Sequence, residues 1–213
     1  MLKLYNTQMS GNCHRVRLML SLLGLKYETV EIDLQKKDQL KPEFLSLNPL
    51  HKIPVLDDNG FVVRDSMAIL VYLADKYGKG KWYPKDPEGR AEVQQWLSLA
   101  VNEGFNGLAV ARAIVVFNRP GDPKAAAEIA EQALHAMQVR LKQRDWLATG
   151  EPTIADVASY VYAALAHQGH ISLHNHPAIA PWIKRVEALP GYVAMPGLPW
   201  PGDPPKANKA EKV

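Results

Sequence analysis

Cysteine is nearly absent from this 213-residue chain, where Cys13 stands alone. A single thiol excludes an intrachain disulfide and any Cys-x-x-Cys redox or zinc motif, and with them a dithiol mechanism. A dominant charge is lacking too. Lys and Arg exceed Asp and Glu by only three and no basic run is longer than a pair, which argues against nucleic acid and for small-molecule partners. No stretch reaches the ~20 apolar residues of a membrane span. The opening Met1-Leu2-Lys3-Leu4-Tyr5-Asn6-Thr7 also lacks the apolar core and cleavage site of a signal peptide. The expectation is a soluble cytoplasmic protein with no membrane or nucleic-acid partner.

The hydrophobic content of 47% is enough for one large or two small cores, and the pattern along the chain favours two. Up to about residue 80, short apolar or β-branched runs (Leu2 to Tyr5, Tyr27 to Ile32, Ile53 to Leu56, Phe61 to Val63) alternate with helical segments at 12–24 and 66–77. This predicts an α/β domain over 1–80. The cluster Asp57-Asp58-Asn59-Gly60 reads as a β-hairpin turn, so the last two strands should be antiparallel. A linker over 81–87 follows, and beyond it strand patterns stop. Helices are predicted at 88–117, 123–146, 154–168 and 178–188, an all-helical domain over 88–195. Asp122 and Pro123 suit the cap and first position of one helix, while Thr153 and Asp156 suit a capping box on another. From Pro196 to residue 213 the proline-rich, then Lys-rich, sequence reads as an extended tail packed through Trp200.

The segment Leu50-His51-Lys52-Ile53-Pro54-Val55-Leu56 carries the clearest functional signal, with Asp65-Ser66 following nine residues later. An apolar-Pro step feeding a short strand exposes backbone donors and acceptors at a sheet edge. The acidic-Ser pair then opens the helix beginning Met67-Ala68-Ile69-Leu70, placing an anion site nearby. Ser10 lies after the first strand and just before a helix, so Ser10 or Asn12 can cap it.

Together these residues resemble the cytosolic glutathione transferases. Four motifs carry the likeness in order: Ser10 to Val16, Leu40 to Phe44, Asn48 to Leu56 and Asp65 to Leu73. Thr153 to Asp156 stands at the expected helix start of the second domain. The serine at position 10 is similar to that of the theta, delta and related bacterial classes. The resemblance implies a thioredoxin-like βαβαββα domain followed by an all-α domain, a homodimer, and glutathione as co-substrate with no cofactor or metal. It implies a reaction in which the glutathione thiolate attacks a hydrophobic electrophile.

It also implies roles. A free thiol near pKa ~8.5 is only about 3% ionised at pH 7, and lowering that value by about two units takes roughly 2.7 kcal/mol. A serine hydroxyl is too weakly basic to take the proton, so Ser10 would act as hydrogen-bond donor to the thiolate, with the helix N-terminus favouring the charge. Ile53, before a cis Pro54, would pair with the cysteinyl backbone of glutathione. Asp65 and Ser66 would hold its γ-glutamyl end. Gln39, His51 and Lys52 match positions around the glycyl carboxylate. Asn12 would either fix the Ser10 hydroxyl or cap the helix. Cys13 belongs to the same glutathione-contacting stretch, although packing is the ordinary role of such a cysteine. The electrophile would lie between Met9 and the first long helix, where Phe105, Ala109, Arg112 and Val116 recur at helical spacing. His167, His170, His174 and His176 match no zinc spacing and show no nearby carboxylate in sequence. Glutathione-dependent dehalogenation, isomerisation or thiol-disulfide reduction, or glutathione binding without turnover, are the alternatives.

Overall fold

The computed structural model describes residues 1–202, so the tail from residue 203 onward lies outside the described residues. Strand β1 (Leu2–Asn6) buries every second residue, and β2 (Tyr27–Glu31) runs parallel to it after the intervening helix α1 (Gly11–Leu22). β3 (Val55–Asp58) is antiparallel to β1, and β4 (Phe61–Arg64) is antiparallel to β3, giving the order β2-β1-β3-β4. The predicted hairpin is present. Its two central residues, Asn59 and Gly60, have φ of 53° and 94°, the left-handed pair a tight two-residue turn requires, and Asp57 Oδ1 accepts from the Gly60 amide at 2.7 Å.

Two helices complete this half. α2 (Pro42–Leu47) has only six residues, too few for a periodic signal, and the chain pattern alone did not predict it. Pro42 starts it and buried Phe44 anchors it against Ile32 and Val55. α3 (Ser66–Tyr77) is tied to the hairpin through the fully buried carboxylate of Asp58, which accepts from Lys76 Nζ at 2.5 Å, Tyr77 at 2.6 Å and Tyr72 at 2.8 Å. Burial alone would raise the pKa of this carboxyl; those donors outweigh it and hold the group well below the usual carboxylate range.

The remainder is helical: α4 (Pro87–Val101), α5 (Val110–Phe117), α6 (Pro123–Leu141), α7 (Ile154–Ala164) and α8 (Ile179–Glu187). The predicted single helix over 88–117 is interrupted by a π-helical segment, Gly104–Ala109. Gly107 explains the packing there. A β-carbon on it would lie 2.3 Å from the Ala130 backbone nitrogen, so only glycine lets α6 approach this closely. By length and composition Pro87–Phe117 is also apolar enough to cross a membrane, contrary to the sequence expectation; here Val93, Trp96, Leu97, Ala100 and Leu108 belong to the core. α6 ends five residues before the predicted boundary. α7 gives way after Ala164 to a 3₁₀ turn at Ala166–Gly169.

α7 is buried along its whole length, as a helix that is apolar on all sides must be. Its predicted capping box is formed. The Thr153 hydroxyl accepts from the Ala155 amide at 3.2 Å, and Asp156 accepts from the Thr153 amide at 2.9 Å, the Leu147 amide at 3.0 Å and the Trp182 indole at 2.9 Å. Asp122 caps α6 as expected, accepting from Lys124 and Ala125. The start of the tail packs onto this half: Met195 and Leu198 are buried, and the half-buried Trp200 donates its backbone N–H to Glu187 at 3.0 Å.

Candidate active site

The sheet register brings the scattered motifs to one end. Tyr5 pairs with Val55 and Val55 with Arg64, so the loop after β1, the segment before β3 and the start of α3 leave the sheet side by side. Asn6 pairs with Glu31, and the Asn6 carbonyl accepts from the Ile32 amide, which adds the loop carrying Gln39. This is the carboxyl end of the parallel pair β1 and β2, the ordinary place for a ligand in such sheets.

The loop Thr7–Ser10 is held from two directions. Arg17, buried on α1, donates to the Asn6 side chain, to the Thr7 carbonyl at 3.1 Å and to the Gln8 carbonyl at 3.0 Å. From α5, Arg112 donates to the Met9 carbonyl at 3.1 Å and to Gln168 Oε1 at 2.6 Å. Ser10 itself is the N-cap of α1. Its Oγ accepts from the Cys13 amide at 3.2 Å, which decides the capping question in favour of Ser10 over Asn12. Asn12 instead accepts through Oδ1 from Arg15 Nη1 at 2.8 Å and from the Tyr162 hydroxyl at 3.3 Å.

Cys13 is fully buried, which corrects the grouping of its side chain with glutathione-contacting residues. Burial pushes its thiol pKa up, with the Ser10 hydroxyl pulling the other way. Its contribution to the site is the amide that engages Ser10.

The other predicted positions fall on the rim. Ile53 precedes a cis Pro54 and lies outside the ladder pairs, with its N–H and C=O in none of the backbone hydrogen bonds among the described residues. Asp65 is exposed and adopts φ 75°, an uncommon state for a non-glycine residue, while Oδ1 accepts from the Met67 amide at 2.8 Å and the Ala68 amide at 3.2 Å. Ser66 is buried at the first helical position. His51 and Lys52 are exposed, and Gln39 is half-buried in a 3₁₀ turn with its Oε1 enclosed and unpartnered among the described residues.

The electrophile positions divide. Phe105 and Val116 are exposed and Met9 is half-buried. Ala109 and Arg112 are buried, and Arg112 ties the Met9 loop to α5; the π segment interrupts the α spacing that grouped these residues. No group of three or more His, Cys, Asp or Glu able to hold a metal occurs among the described residues. His176 does have a carboxylate neighbour: its Nε2 lies 3.0 Å from Glu131 on α6, a contact invisible in the sequence.

Sequence reasoning missed several residues. Asn48 is buried and clamps the loop before β3, donating from Nδ2 to the Lys52 carbonyl at 2.7 Å and accepting at Oδ1 from the Leu50 amide at 3.1 Å. Arg15, Arg17, Tyr162 and Gln168 were missed as well. The one available signal was the pair of arginines within His14-Arg15-Val16-Arg17-Leu18, charges placed where a helix is otherwise apolar.

Comparison with known proteins agrees with this geometry. The family model for the glutathione S-transferase N-terminal domain matches residues 1–75, and that for the C-terminal domain matches residues 108–190. Glutathione S-transferase D7 of Drosophila melanogaster is 31% identical over 90% of this chain and 87% of its own. The D7 enzyme of Anopheles gambiae is 34% identical over 85% of this chain and 84% of its own. The solved glutathione S-transferase of Pseudomonas fluorescens superposes with a TM-score of 0.86 at 34% identity, covering 91% of this chain and 98% of its own. With both domain families matched in order and curated relatives at 31% and 34% identity over most of the chain, the chain belongs to the glutathione S-transferase family.

Proposed function

We propose that Ser10 donates a hydrogen bond to the sulfur of bound glutathione, and that the resulting thiolate attacks a soft electrophilic carbon of a hydrophobic substrate. The observation that carries this reading is the state of Ser10: its oxygen accepts from the Cys13 amide at the start of α1, which leaves the hydroxyl proton to be donated. The proton lost by the thiol leaves to solvent, because serine cannot hold it at neutral pH. Ile53 supplies the backbone pairing, Asp65 and Ser66 the γ-glutamyl contacts, and His51, Lys52 and Gln39 the glycyl end. Burial of Cys13 argues against the thiol-disulfide reductase alternative.

The finer assignments follow the family. We place the linker between the two domains at 81–87, the protein in the cytoplasm, and two copies in a homodimer whose contact uses exposed apolar side chains such as Val101 and Phe105. No cofactor or metal takes part. The deciding experiment is spectroscopic titration of the bound glutathione thiol in the parent and in Ser10→Ala, with turnover of an activated aryl halide measured alongside. A bound pKa well below that of the free thiol in the parent, rising by about one to two units in the variant, is the expected result. Identical values in the two proteins remove Ser10 from the mechanism.

A further inference from the structure

Arg15 is a buried cation without a carboxylate of its own. It sits one turn into α1, fully enclosed, and makes no ion pair among the described residues. Its guanidinium lies over the Tyr162 ring of α7 at 4.8 Å, and its Nε is buried without a partner. Burial lowers its pKa, while the nearby Tyr162 and Asp65 act in the opposite direction. A desolvated, uncompensated charge is costly and calls for an anion that completes it.

The polar contact that Arg15 does make leads toward the site. Arginine has donors only, so the Asn12 atom 2.8 Å from Nη1 must be the amide oxygen. The same oxygen takes the Tyr162 hydroxyl at 3.3 Å. With Oδ1 occupied twice, the amide of Asn12 cannot flip without placing donors against donors. Its Nδ2 has no partner among the described residues and is not enclosed, on the first turn of the helix that Ser10 caps. The groups that fix this amide come from both halves of the protein, since Arg15 lies on α1 and Tyr162 on α7. Gly11 is what lets them meet: a β-carbon there would lie 2.7 Å from the Tyr162 ring.

We propose that Asn12 is a second hydrogen-bond donor to the glutathione thiolate, and that Arg15 and Tyr162 are positioning residues that lock its Nδ2 toward the sulfur, the thiolate being the anion that the Arg15 charge faces. The inference rests on the reading that glutathione binds beside Ser10. The other titratable groups around this cluster are Cys13 on α1, Asp65 at the start of α3 and Arg112 on α5. Arg112 is itself a cation, committed to Met9 and Gln168. Cys13 is buried with a raised pKa. The Asp65 carboxylate makes no ion pair with Arg15, its Oδ1 accepting instead from the Met67 and Ala68 amides, so neither Cys13 nor Asp65 closes on the Arg15 charge.

The test is the bound-thiol titration repeated with Asn12→Ala, Asn12→Asp and Tyr162→Phe beside the parent and Ser10→Ala, with thermal unfolding of each. Asn12→Ala should raise the bound-thiol pKa by about one unit, a tenfold loss of thiolate at a pH below that value. Asn12→Asp, which adds an anion and removes the donor, should raise it further. Tyr162→Phe, which removes one hydroxyl and keeps the ring, should raise it by a smaller amount. A role confined to packing would lower the unfolding temperature and leave the pKa where it was, which overturns the proposal. If Ser10→Ala raises the pKa and no Asn12 variant does, the second donor is refuted while the Ser10 reading stands. If the parent itself shows no lowered pKa, the underlying reading fails first.

Discussion

Arg112 reaches across 103 residues of sequence to donate to the Met9 carbonyl, so the residue immediately before Ser10 is positioned by a helix of the other domain. The same guanidinium takes Gln168 Oε1 and lies 5.0 Å from the Phe117 ring centroid. Arg112→Met keeps most of the volume and removes both charge-assisted bonds, leaving two acceptors unpaired. Hydrogen bonds of this kind contribute about 1.5–3 kcal/mol, so a loss of roughly 2–3 kcal/mol in denaturant unfolding is expected, with lower glutathione affinity. A variant as stable as the parent would contradict this account.

Asn48 separates binding from ionisation. Asn48→Ala frees the Lys52 carbonyl and the Leu50 amide and loosens the loop that presents His51, Lys52 and Ile53. Losing roughly 1 kcal/mol of loop ordering corresponds to about a fivefold weaker dissociation constant for glutathione. The pKa of the bound thiol should not change. Equilibrium binding together with thiol titration measures both, and a shifted thiol pKa would show that the loop also sets the sulfur position.

His14 predicts an acid sensitivity. It is fully buried beside Cys13, and both ring nitrogens lack partners among the described residues. Burial first and the Arg17 charge second push its pKa from 6.5 down to about 3. Between those values the unfolded chain binds a proton that the folded one refuses. Stability from this group is therefore complete above about pH 6.5 and is lost on acidification toward about pH 3, by about 1.4 kcal/mol per unit. His14→Leu gives up no hydrogen bond seen here and should flatten the pH dependence of unfolding between about pH 6 and about pH 4. Parallel curves for parent and variant would rule the histidine out as its source.

Gly107→Ala should be among the most damaging single-methyl additions in the protein. The new carbon meets backbone, the Ala130 nitrogen at 2.3 Å and its Cα at 2.5 Å, and a backbone cannot rotate away as a side chain can. Overpacking of this kind costs about 1–3 kcal/mol or more. Thermal unfolding checks it, with Gly150→Ala, where no atom lies within 4 Å, as the control.

Local chemistry was legible in the sequence because its partners are neighbours. The Thr153 and Asp156 box, the Asp122 cap and the Asn59-Gly60 turn each depend on residues within a few positions, and all three are present as read. Ser10 was legible as a capping candidate for the same reason, and its bond from the Cys13 amide settles the cap locally, but what holds the Asn12 side chain includes Tyr162, 150 residues away. The tie that Arg112 makes was not legible, because Met9 lies 103 residues away and the π segment that interrupts the helical spacing leaves no periodic signal. Asn48 lay inside a recognised motif, yet its bond to the Lys52 carbonyl follows from a loop shape that no periodicity encodes.

The wide turn at Gly104–Ala109 acts as a register offset of one residue. An α-helix advances about 100° per residue, so winding this segment as ordinary α-helix with no residue removed would swing everything downstream by roughly that angle. The Arg112 guanidinium would leave the Met9 carbonyl, and Phe117 would turn with it, although the helix kept the same composition. In this scaffold the winding of a single turn therefore fixes which side chain of α5 meets the loop before Ser10.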